Sequence, residues 1–236
     1  MIWAIPGFLG LQSDWDFLAW KSLIAVDLYA FSWCTLSEWA EQFNRLLEDG
    51  RDHRSEPAIL MGYSLGGRLA LHALLDKPAQ WKAAVIISAH PGLGDPDERK
   101  EREKRDQDWA QRFKQEEWDS LIRAWNAQPI FAGDSFSFDR HECCYERSLL
   151  AQTLNNGSLA TQRALREEIA SLPMPILWIT GGQDRCCSEL ASSLTFAHPF
   201  SRWVSVQGAG HRIPWEQPVV FNQLIQKFLE TIDPGS

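Results

Sequence analysis

Ser64 has the sequence surroundings best suited to chemistry. It is the centre of Gly62-Tyr63-Ser64-Leu65-Gly66, which follows the apolar run 58–61 and leads into the amphipathic run 69–75. Gly-x-Ser-x-Gly between a strand and a helix predicts a sharp turn that exposes the serine hydroxyl. The two glycines lack a Cβ, so strand and helix can close around a serine with strained dihedral angles. This setting favours a nucleophile elbow over a plain strand-to-helix turn.

A serine nucleophile or base needs an imidazole to take its proton and a carboxylate to orient that imidazole. Asp184 and His211 each follow a predicted strand, and the carboxyl ends of parallel strands meet at one edge of a sheet. The order serine, aspartate, histidine is typical of the α/β-hydrolase arrangement. We therefore predict a triad of Ser64, Asp184 and His211, with His90 and Asp95 as the alternative imidazole and acid. The other histidines fall in helical or loop positions: His53, His72, His141 and His198.

Two backbone amides are placed to bind an anion that develops beside the serine. The run Pro6-Gly7-Phe8-Leu9-Gly10 follows a predicted strand, and such a loop supplies one oxyanion donor in enzymes with this elbow, here the N–H of Phe8. The N–H of Leu65, at the start of the next helix, is the second. We predict these two donors, although taken alone the first loop also fits a simple turn.

Strands and helices alternate along the chain. Continuous apolar runs predict buried parallel strands at residues 2–5, 22–27, 58–61, 83–89, 175–180 and 202–206. Amphipathic or charged runs predict helices at residues 36–48, 65–75, 95–115, 140–154, 158–172 and 216–231. This order predicts one α/β domain over residues 1–236, an α/β-hydrolase fold with a mostly parallel sheet, helices on both faces and a helical cap at about residues 91–172.

Composition narrows the classes of partner and compartment. The net charge of -8 and the pI near 5.3 argue against nucleic acid or an anionic membrane as a partner, because both require a basic surface. The N-terminus does not resemble a secretory signal, and no apolar run has the length of a membrane span. We expect a soluble cytoplasmic protein that acts on a small molecule as a monomer or small homo-oligomer.

The cysteines give no sign of a metal or of a disulfide framework. There are five, an odd number, and none has Cys-x-x-Cys spacing. Without a secretion signal this favours reduced thiols, and no histidine stands at ligand spacing from either cysteine pair. We expect neither a metal nor another cofactor. The cysteines are Cys34, Cys143, Cys144, Cys186 and Cys187.

Several segments resemble one particular family, the 2-succinyl-6-hydroxy-2,4-cyclohexadiene-1-carboxylate synthases of menaquinone biosynthesis. The elbow and histidine segments suit many α/β hydrolases, whereas those from the predicted cap are specific to this family. The matching segments are Gly62-Tyr63-Ser64-Leu65-Gly66-Gly67-Arg68, His90-Pro91-Gly92-Leu93, the charged run from Arg102 to Trp109-Ala110-Gln111-Arg112-Phe113, Trp125-Asn126-Ala127-Gln128-Pro129-Ile130-Phe131, Asn155-Asn156-Gly157 and Gly208-Ala209-Gly210-His211.

The resemblance implies a lyase that removes a proton next to a succinyl ketone and eliminates an enolpyruvyl group as pyruvate. It also implies that Tyr63, Arg68 and Arg102 contact a substrate with several carboxylates. Guanidinium groups suit that task because they bind carboxylates with two parallel hydrogen bonds. Trp125 recurs with Trp109 and Trp118 along one helical region, and we expect it to line the pocket.

Three departures from the family pattern stand out. Pro6 replaces a histidine that usually precedes the oxyanion-loop glycine. The first strand corresponds to the family's third, so we expect the leading hairpin to be missing. Where the family has a further cap arginine this chain has Gln152, and Arg147 lies upstream. We expect specificity to differ from the family's if Arg147 does not reach the pocket.

Two other functions fit the same triad. A carboxylesterase or thioesterase would use Ser64 as a covalent nucleophile, and a relative that only binds ligands would not use the triad at all. Arginines facing Ser64 favour a lyase acting on a polycarboxylate, whereas an apolar tunnel favours an esterase.

Overall fold

Parallel strands form the centre of the protein in the computed structural model, which describes residues 1–18, 20–31, 35–50 and 57–233. The strands are β1 (Ile2–Ile5), β2 (Leu23–Ala25), β3 (Ala58–Tyr63), β4 (Trp81–Ile87), β5 (Ile176–Gly181) and β6 (Arg202–Val206). In the described residues they form one sheet in the order β2-β1-β3-β4-β5-β6, and every neighbouring pair is parallel. Cys34 and His53 lie outside the described residues.

Helices cover both faces of this sheet. They are α1 (Leu36–Gly50), α2 (Leu65–Asp76), α3 (Pro96–Gln115), α4 (Trp118–Asn126), α5 (Arg147–Asn156), α6 (Arg166–Ala170), α7 (Arg185–Ser192), α8 (Ile213–Glu216) and α9 (Pro218–Ile232). One face packs on α1, α2, α6 and α7 through a cluster that includes Trp39 and Trp178. The other packs on α9 and a 3-10 turn at Gln12–Leu18 through Phe221 and Phe228. The predicted α/β-hydrolase sheet with helices on both faces is confirmed.

The segment between β4 and β5 contains helices and no strand. Its helices α3, α4 and α5, here termed the cap helices, share an apolar cluster with Leu9 of the loop after β1. They therefore pack over the end of the sheet where β1 and β3 finish. By contrast, α6 contributes Ile169 to the cluster on the sheet. The cap boundaries near residues 91 and 172 stay a prediction.

Two predicted helices in this segment are shorter than expected. The first begins at Arg147 and not at Arg140, because residues 142–144 form a 3-10 turn and the Arg140 carbonyl accepts a hydrogen bond from Trp118 Nε1 at 2.6 Å. Of the range 158–172, only α6 is an α-helix. The preceding residues make other bonds, such as Leu165 N–H to the Pro91 carbonyl at 2.7 Å. Long-range partners therefore replaced local helical bonds.

Two differences concern the last third of the chain. The helix expected at 216–231 is observed as α9, which begins at Pro218, and the short helix α8 precedes it. Proline suits the first turn of a helix because it has no N–H to leave unbonded. Helix α7 was not predicted, and the Asp184 side chain caps it by accepting the Cys187 N–H at 3.2 Å. No helix in the described residues is long and apolar enough to cross a membrane.

Candidate active site

The turn between β3 and α2 holds Ser64 in a conformation that few L-residues adopt, with φ 53° and ψ -113°. Its glycines are required sterically. A Cβ on Gly62 would lie 2.4 Å from the Gly66 carbonyl oxygen, and one on Gly66 would lie 2.3 Å from the Ile5 carbonyl oxygen. Strand and helix are thus in backbone contact around the serine, as a nucleophile elbow requires.

His211 joins Ser64 to Asp184 in a chain of hydrogen bonds. Its Nε2 lies 3.0 Å from Ser64 Oγ, and its Nδ1 lies 2.6 Å from Asp184 Oδ2. Both side chains of the His211–Asp184 pair are buried. Burial alone would raise the pKa of Asp184, but hydrogen bonds from His211 and Cys187 hold that pKa below its ordinary value. An ionised Asp184 is therefore available to stabilise an imidazolium.

One carboxylate distant in sequence and one from the following helix hold the loop that carries His211. The His211 N–H donates to Asp134 Oδ1 at 2.5 Å, and Asp134 belongs to the segment between β4 and β5. From α8, Glu216 accepts the N–H groups of Gly210 and Arg212, each at 3.0 Å. The backbone on both sides of the histidine is thereby fixed by two carboxylates.

The loop after β1 packs against the elbow that carries Ser64. A Cβ on Gly7 would lie 2.9 Å from the Tyr63 ring and 3.3 Å from the Ser64 Cβ, so this loop passes next to the serine. Among the hydrogen bonds of the described residues, none uses the amide of Phe8 or of Leu65. Leu9, the next residue, has a φ of 61°, in the left-handed region.

A cavity with an empty volume of about 520 Å³, part of it open to solvent, lies beside Ser64. Its walls come from the elbow, the loop after β1, the cap helices and the loops after α4 and β6. They combine aromatic rings with two arginines, which suits a ligand with both apolar and anionic parts. The lining residues are Gly7, Phe8, Leu9, Gly10, Asp14, Tyr63, Ser64, Ile122, Trp125, Asn126, Phe131, Phe138, Arg140 and Arg212.

The two arginines in this cavity differ in how their charge is balanced. Arg140 forms a buried two-bond ion pair with Asp14, at 2.8 and 2.7 Å. Arg212 donates to neutral acceptors, the Phe136 carbonyl and Asn126 Oδ1. Its Nε forms a longer ion pair with Asp134 Oδ2 at 3.5 Å, and that oxygen has no hydrogen-bond partner among the described residues. Arg212 is therefore the less fully paired cation of the two.

Sequence comparison with known proteins supports this fold. A sequence model of the alpha/beta hydrolase family matches residues 4–224. The 2-succinyl-6-hydroxy-2,4-cyclohexadiene-1-carboxylate synthase of Pectobacterium atrosepticum is 30% identical over 239 aligned residues, which cover 95% of this chain and 92% of that protein. The chain belongs to this synthase family.

Two solved structures resemble the fold at lower sequence identity. MenH from S. aureus has a TM-score of 0.84 at 18% identity, covering 98% of this chain and 94% of that one. A thermophilic esterase from Thermogutta terrifontis, solved with malate bound, has a TM-score of 0.76 at 17% identity, covering 98% and 89%. Synthases and esterases thus share this scaffold, and the fold alone does not separate the two activities.

Tyr63 and Trp125 are the predicted substrate-contacting residues that line the cavity of this synthase-family member. The Tyr63 ring lies 5.5 Å from the His211 ring, and the Trp125 ring lies 4.8 Å from the Phe8 ring. Burial raises the pKa of Tyr63, so its phenol stays protonated. Both residues face the serine, and their contact with substrate stays a prediction.

Arg68 and Arg102, by contrast, do not line this cavity. Arg68 is buried and donates to the Gly157 carbonyl at 2.7 Å and to Gln162 Oε1 at 3.2 Å. Arg102 is paired through its Nε with Asp106 at 2.7 Å. Burial and the nearby Arg102 lower the pKa of Arg68 to about 9. The two arginines form a charged cluster with Asp106 between α2 and α3.

The two residues considered for the family's further arginine also lie away from the cavity. Arg147 is bonded to Glu142 at 2.6 Å and to the carbonyls of Phe113 and Glu116 at 3.1 and 2.7 Å. Gln152 is exposed on α5. The structure therefore brings neither side chain next to Ser64.

The alternative imidazole and acid have other partners. His90 Nδ1 accepts the Gly92 N–H at 3.0 Å, and burial together with Arg68 lowers the pKa of His90 to about 4. Asp95 caps α3 by accepting the Asp97 N–H at 2.7 Å. His211 and Asp184 are thus the pair that the structure brings to the serine.

One cluster of possible metal ligands overlaps this site. The donor atoms of Asp184, Cys187 and His211 lie within 4.8 Å of one another. Both nitrogens of His211 are already engaged, and burial raises the pKa of the Cys187 thiol well above its ordinary value, so the thiol stays protonated. A neutral thiol is a poor ligand, and these side chains are better explained by their hydrogen bonds.

Sequence reasoning missed four side chains that shape the site. Arg212 directly follows the predicted histidine, and its position was the one available signal. The others have no local pattern, because their partners are distant in sequence: Asp14, Asp134 and Arg140.

Proposed function

We propose that this chain eliminates pyruvate from 2-succinyl-5-enolpyruvyl-6-hydroxy-3-cyclohexene-1-carboxylate, the reaction that its resemblance to the synthase family implies. The supporting observation is the hydrogen-bonded chain Ser64–His211–Asp184, at 3.0 and 2.6 Å, at the wall of a cavity that contains arginines and aromatic rings. Family membership selects this elimination among the reactions that such a triad performs.

The proposed first step is removal of the proton next to the succinyl ketone. The Ser64 oxygen takes that carbon-bound proton while its own hydroxyl proton passes to His211 Nε2, and ionised Asp184 stabilises the resulting imidazolium. The electron pair of the broken C–H bond moves onto the ketone oxygen. The N–H groups of Phe8 and Leu65 then stabilise that enolate oxygen.

The second step is elimination. The enolate electrons re-form the carbonyl and a double bond forms between ring carbons 2 and 3. The existing ring double bond shifts from carbons 3 and 4 to carbons 4 and 5, while the C–O bond between carbon 5 and the enolpyruvyl group breaks. The departing enolate of pyruvate takes the proton that His211 received from Ser64, and the resulting enol tautomerises to pyruvate. Every proton is returned, so no cofactor is consumed.

Arg212 is the cation that we propose for a substrate carboxylate at this cavity. It stacks over Phe131, with its guanidinium carbon 4.1 Å from the ring centre. Its two hydrogen bonds go to neutral oxygens and its contact with Asp134 is 3.5 Å long, so it has N–H groups left to bind an anion. Arg68 and Arg102 remain candidates for a second carboxylate between α2 and α3.

The deciding experiment incubates the purified protein with the family's substrate and follows pyruvate release, beside a short acyl ester as control. Pyruvate release with little ester cleavage is the expected result. Rapid ester cleavage without pyruvate would instead identify a carboxylesterase or thioesterase that uses Ser64 covalently.

We also propose a cytoplasmic location and a monomer or small homo-oligomer as the active form, without nucleic acid or membrane as partner. A net charge of -8 supports the absence of nucleic acid and membrane partners, because anionic polymers and surfaces would repel the protein. Gel filtration with light scattering tests the oligomeric state.

A further inference from the structure

The loop that carries the Phe8 amide has a strained residue at its centre. Leu9 has a φ of 61°, which costs energy for a residue with a branched side chain, and its side chain is buried among the cap helices. One local bond closes the turn, from the Gly10 N–H to the Gly7 carbonyl at 2.9 Å. Additional contacts must therefore hold Leu9 in this conformation.

Two phenols make those contacts, one on each side of Leu9. The Leu9 N–H donates to Tyr29 Oη at 3.1 Å, and the Leu9 carbonyl accepts from Tyr145 Oη at 2.7 Å. The two peptide planes that flank Leu9 are thus both fixed. The Phe8 N–H belongs to the plane that immediately precedes these two, so its direction depends on them.

The phenols belong to different parts of the molecule. Tyr29 follows β2, whereas Tyr145 precedes α5 in the segment that contains the cap helices. The Tyr145 ring stacks on Trp118, with ring centres 5.4 Å apart. Because burial raises the pKa of both phenols, that of Tyr145 to about 12, each stays protonated near neutral pH.

We propose that Tyr145 is a positioning residue of the oxyanion hole, whose phenol holds Leu9, and through it the Phe8 amide, in the anion-binding direction. The hole is then complete only while the segment before α5 lies against the loop after β1. Tyr29 fixes the other side of Leu9. This inference rests on the proposed function, since it assumes that the Phe8 amide receives the enolate oxygen.

The variant Tyr145→Phe removes the hydroxyl and keeps the ring that stacks on Trp118. We expect kcat for pyruvate release to fall about tenfold with KM changed less than twofold, because a misdirected donor weakens transition-state binding and leaves substrate binding intact. The matched control is Ser148→Ala, which removes a hydroxyl from the exposed start of α5, where it bonds to Glu146. It should leave both constants unchanged.

Phenylboronic acid provides a second readout that does not depend on the substrate. The Ser64 oxygen adds to boron, the serine proton passes to His211, and the resulting tetrahedral anion directs an oxygen to the hole. Its inhibition constant, or its dissociation constant by calorimetry, should rise about tenfold in Tyr145→Phe. The variant Tyr29→Phe should raise the same constant. If Tyr145→Phe does not fold, Tyr29→Phe is measured in its place.

If kcat and the boronate constant of Tyr145→Phe stay within twofold of wild type, the proposal is overturned. A rise in KM accompanied by a loss of thermal stability would overturn it as well. If the wild type releases no pyruvate, the proposed function fails on its own. The boronate measurement then still decides the positioning role: weaker binding in Tyr145→Phe supports it, and unchanged binding refutes it.

Discussion

Ser64 Oγ and His211 Nε2 lie 3.0 Å apart, yet the two residues are held in place in different ways. The segments that hold them are here called the serine side and the histidine side of the site. Ser64 is positioned by its own sequence neighbours, because Gly62 and Gly66 let β3 and α2 approach around a residue with φ 53°. His211 is positioned by two side-chain carboxylates, Asp134 from the distant segment before α5 and Glu216 from the adjoining helix α8.

The difference shows where each side is vulnerable. A tight turn fails when its own atoms no longer fit, whereas a loop held by side-chain carboxylates responds to their charge and to the packing of the segments that carry them. The serine side should therefore be sensitive to volume and insensitive to pH. The histidine side should show the opposite behaviour.

Removing either reacting side chain should have the largest effect. We expect Ser64→Ala and His211→Ala each to lower kcat for pyruvate release by roughly 10³-fold or more while leaving the fold intact, since each deletes part of one proton-transfer unit. The comparison variant is His90→Ala, whose activity should stay well above that of His211→Ala. Circular dichroism and steady-state kinetics measure both properties. A more damaging His90→Ala would show that the wrong imidazole was assigned.

The second-largest effect is expected when a side chain is added at the elbow around Ser64. In Gly66→Ala the new Cβ would lie 2.3 Å from the backbone oxygens of both Ile5 and Pro6, so β1 and α2 must separate. We expect the free energy of unfolding to fall by about 3 kcal/mol, as for severe overpacking. Gly94→Ala is the matched control, because its Cβ meets no atom within 4 Å. Urea unfolding that gives both variants the same stability would contradict the steric account.

The smallest expected effect is a pH dependence on the histidine side. Burial raises the pKa of Asp134 from 3.8 to about 6 in the folded protein. Because the folded value lies above the unfolded one, protonated Asp134 favours folding. Its contribution is fully present below about pH 4 and is lost as the pH rises through about 6. The complete shift corresponds to about 3 kcal/mol, of which about half falls between pH 5 and pH 7.5.

The variant Asp134→Asn keeps an oxygen for the His211 N–H and cannot ionise. Between pH 5 and pH 7.5, the wild type should therefore lose about 1 kcal/mol more unfolding free energy than the variant. Urea titrations at the two pH values measure this difference, in which the other titrating groups cancel. Parallel stability profiles for the two proteins would show that Asp134 does not titrate in this range.

Much of the fold followed from patterns that local physics decides. Apolar runs separated by amphipathic ones predicted the parallel sheet, because a strand buried on both faces must be apolar throughout. The prediction was weakest between β4 and β5. There the Arg140 carbonyl bonds to Trp118 and the Leu165 amide to Pro91, so the helices expected at 140–154 and 158–172 are much shorter.

The sequence by itself determined the elbow at Ser64 and the order of the three side chains along the chain, because a turn with two glycines and the ends of parallel strands leave few arrangements. Only the tertiary structure decided which cations face the serine. Arg140 and Arg212 line the cavity, while Arg68, Arg102 and Arg147 bond elsewhere. A guanidinium sits on a long, flexible side chain, and its direction depends on acceptors that folding brings from distant parts of the chain.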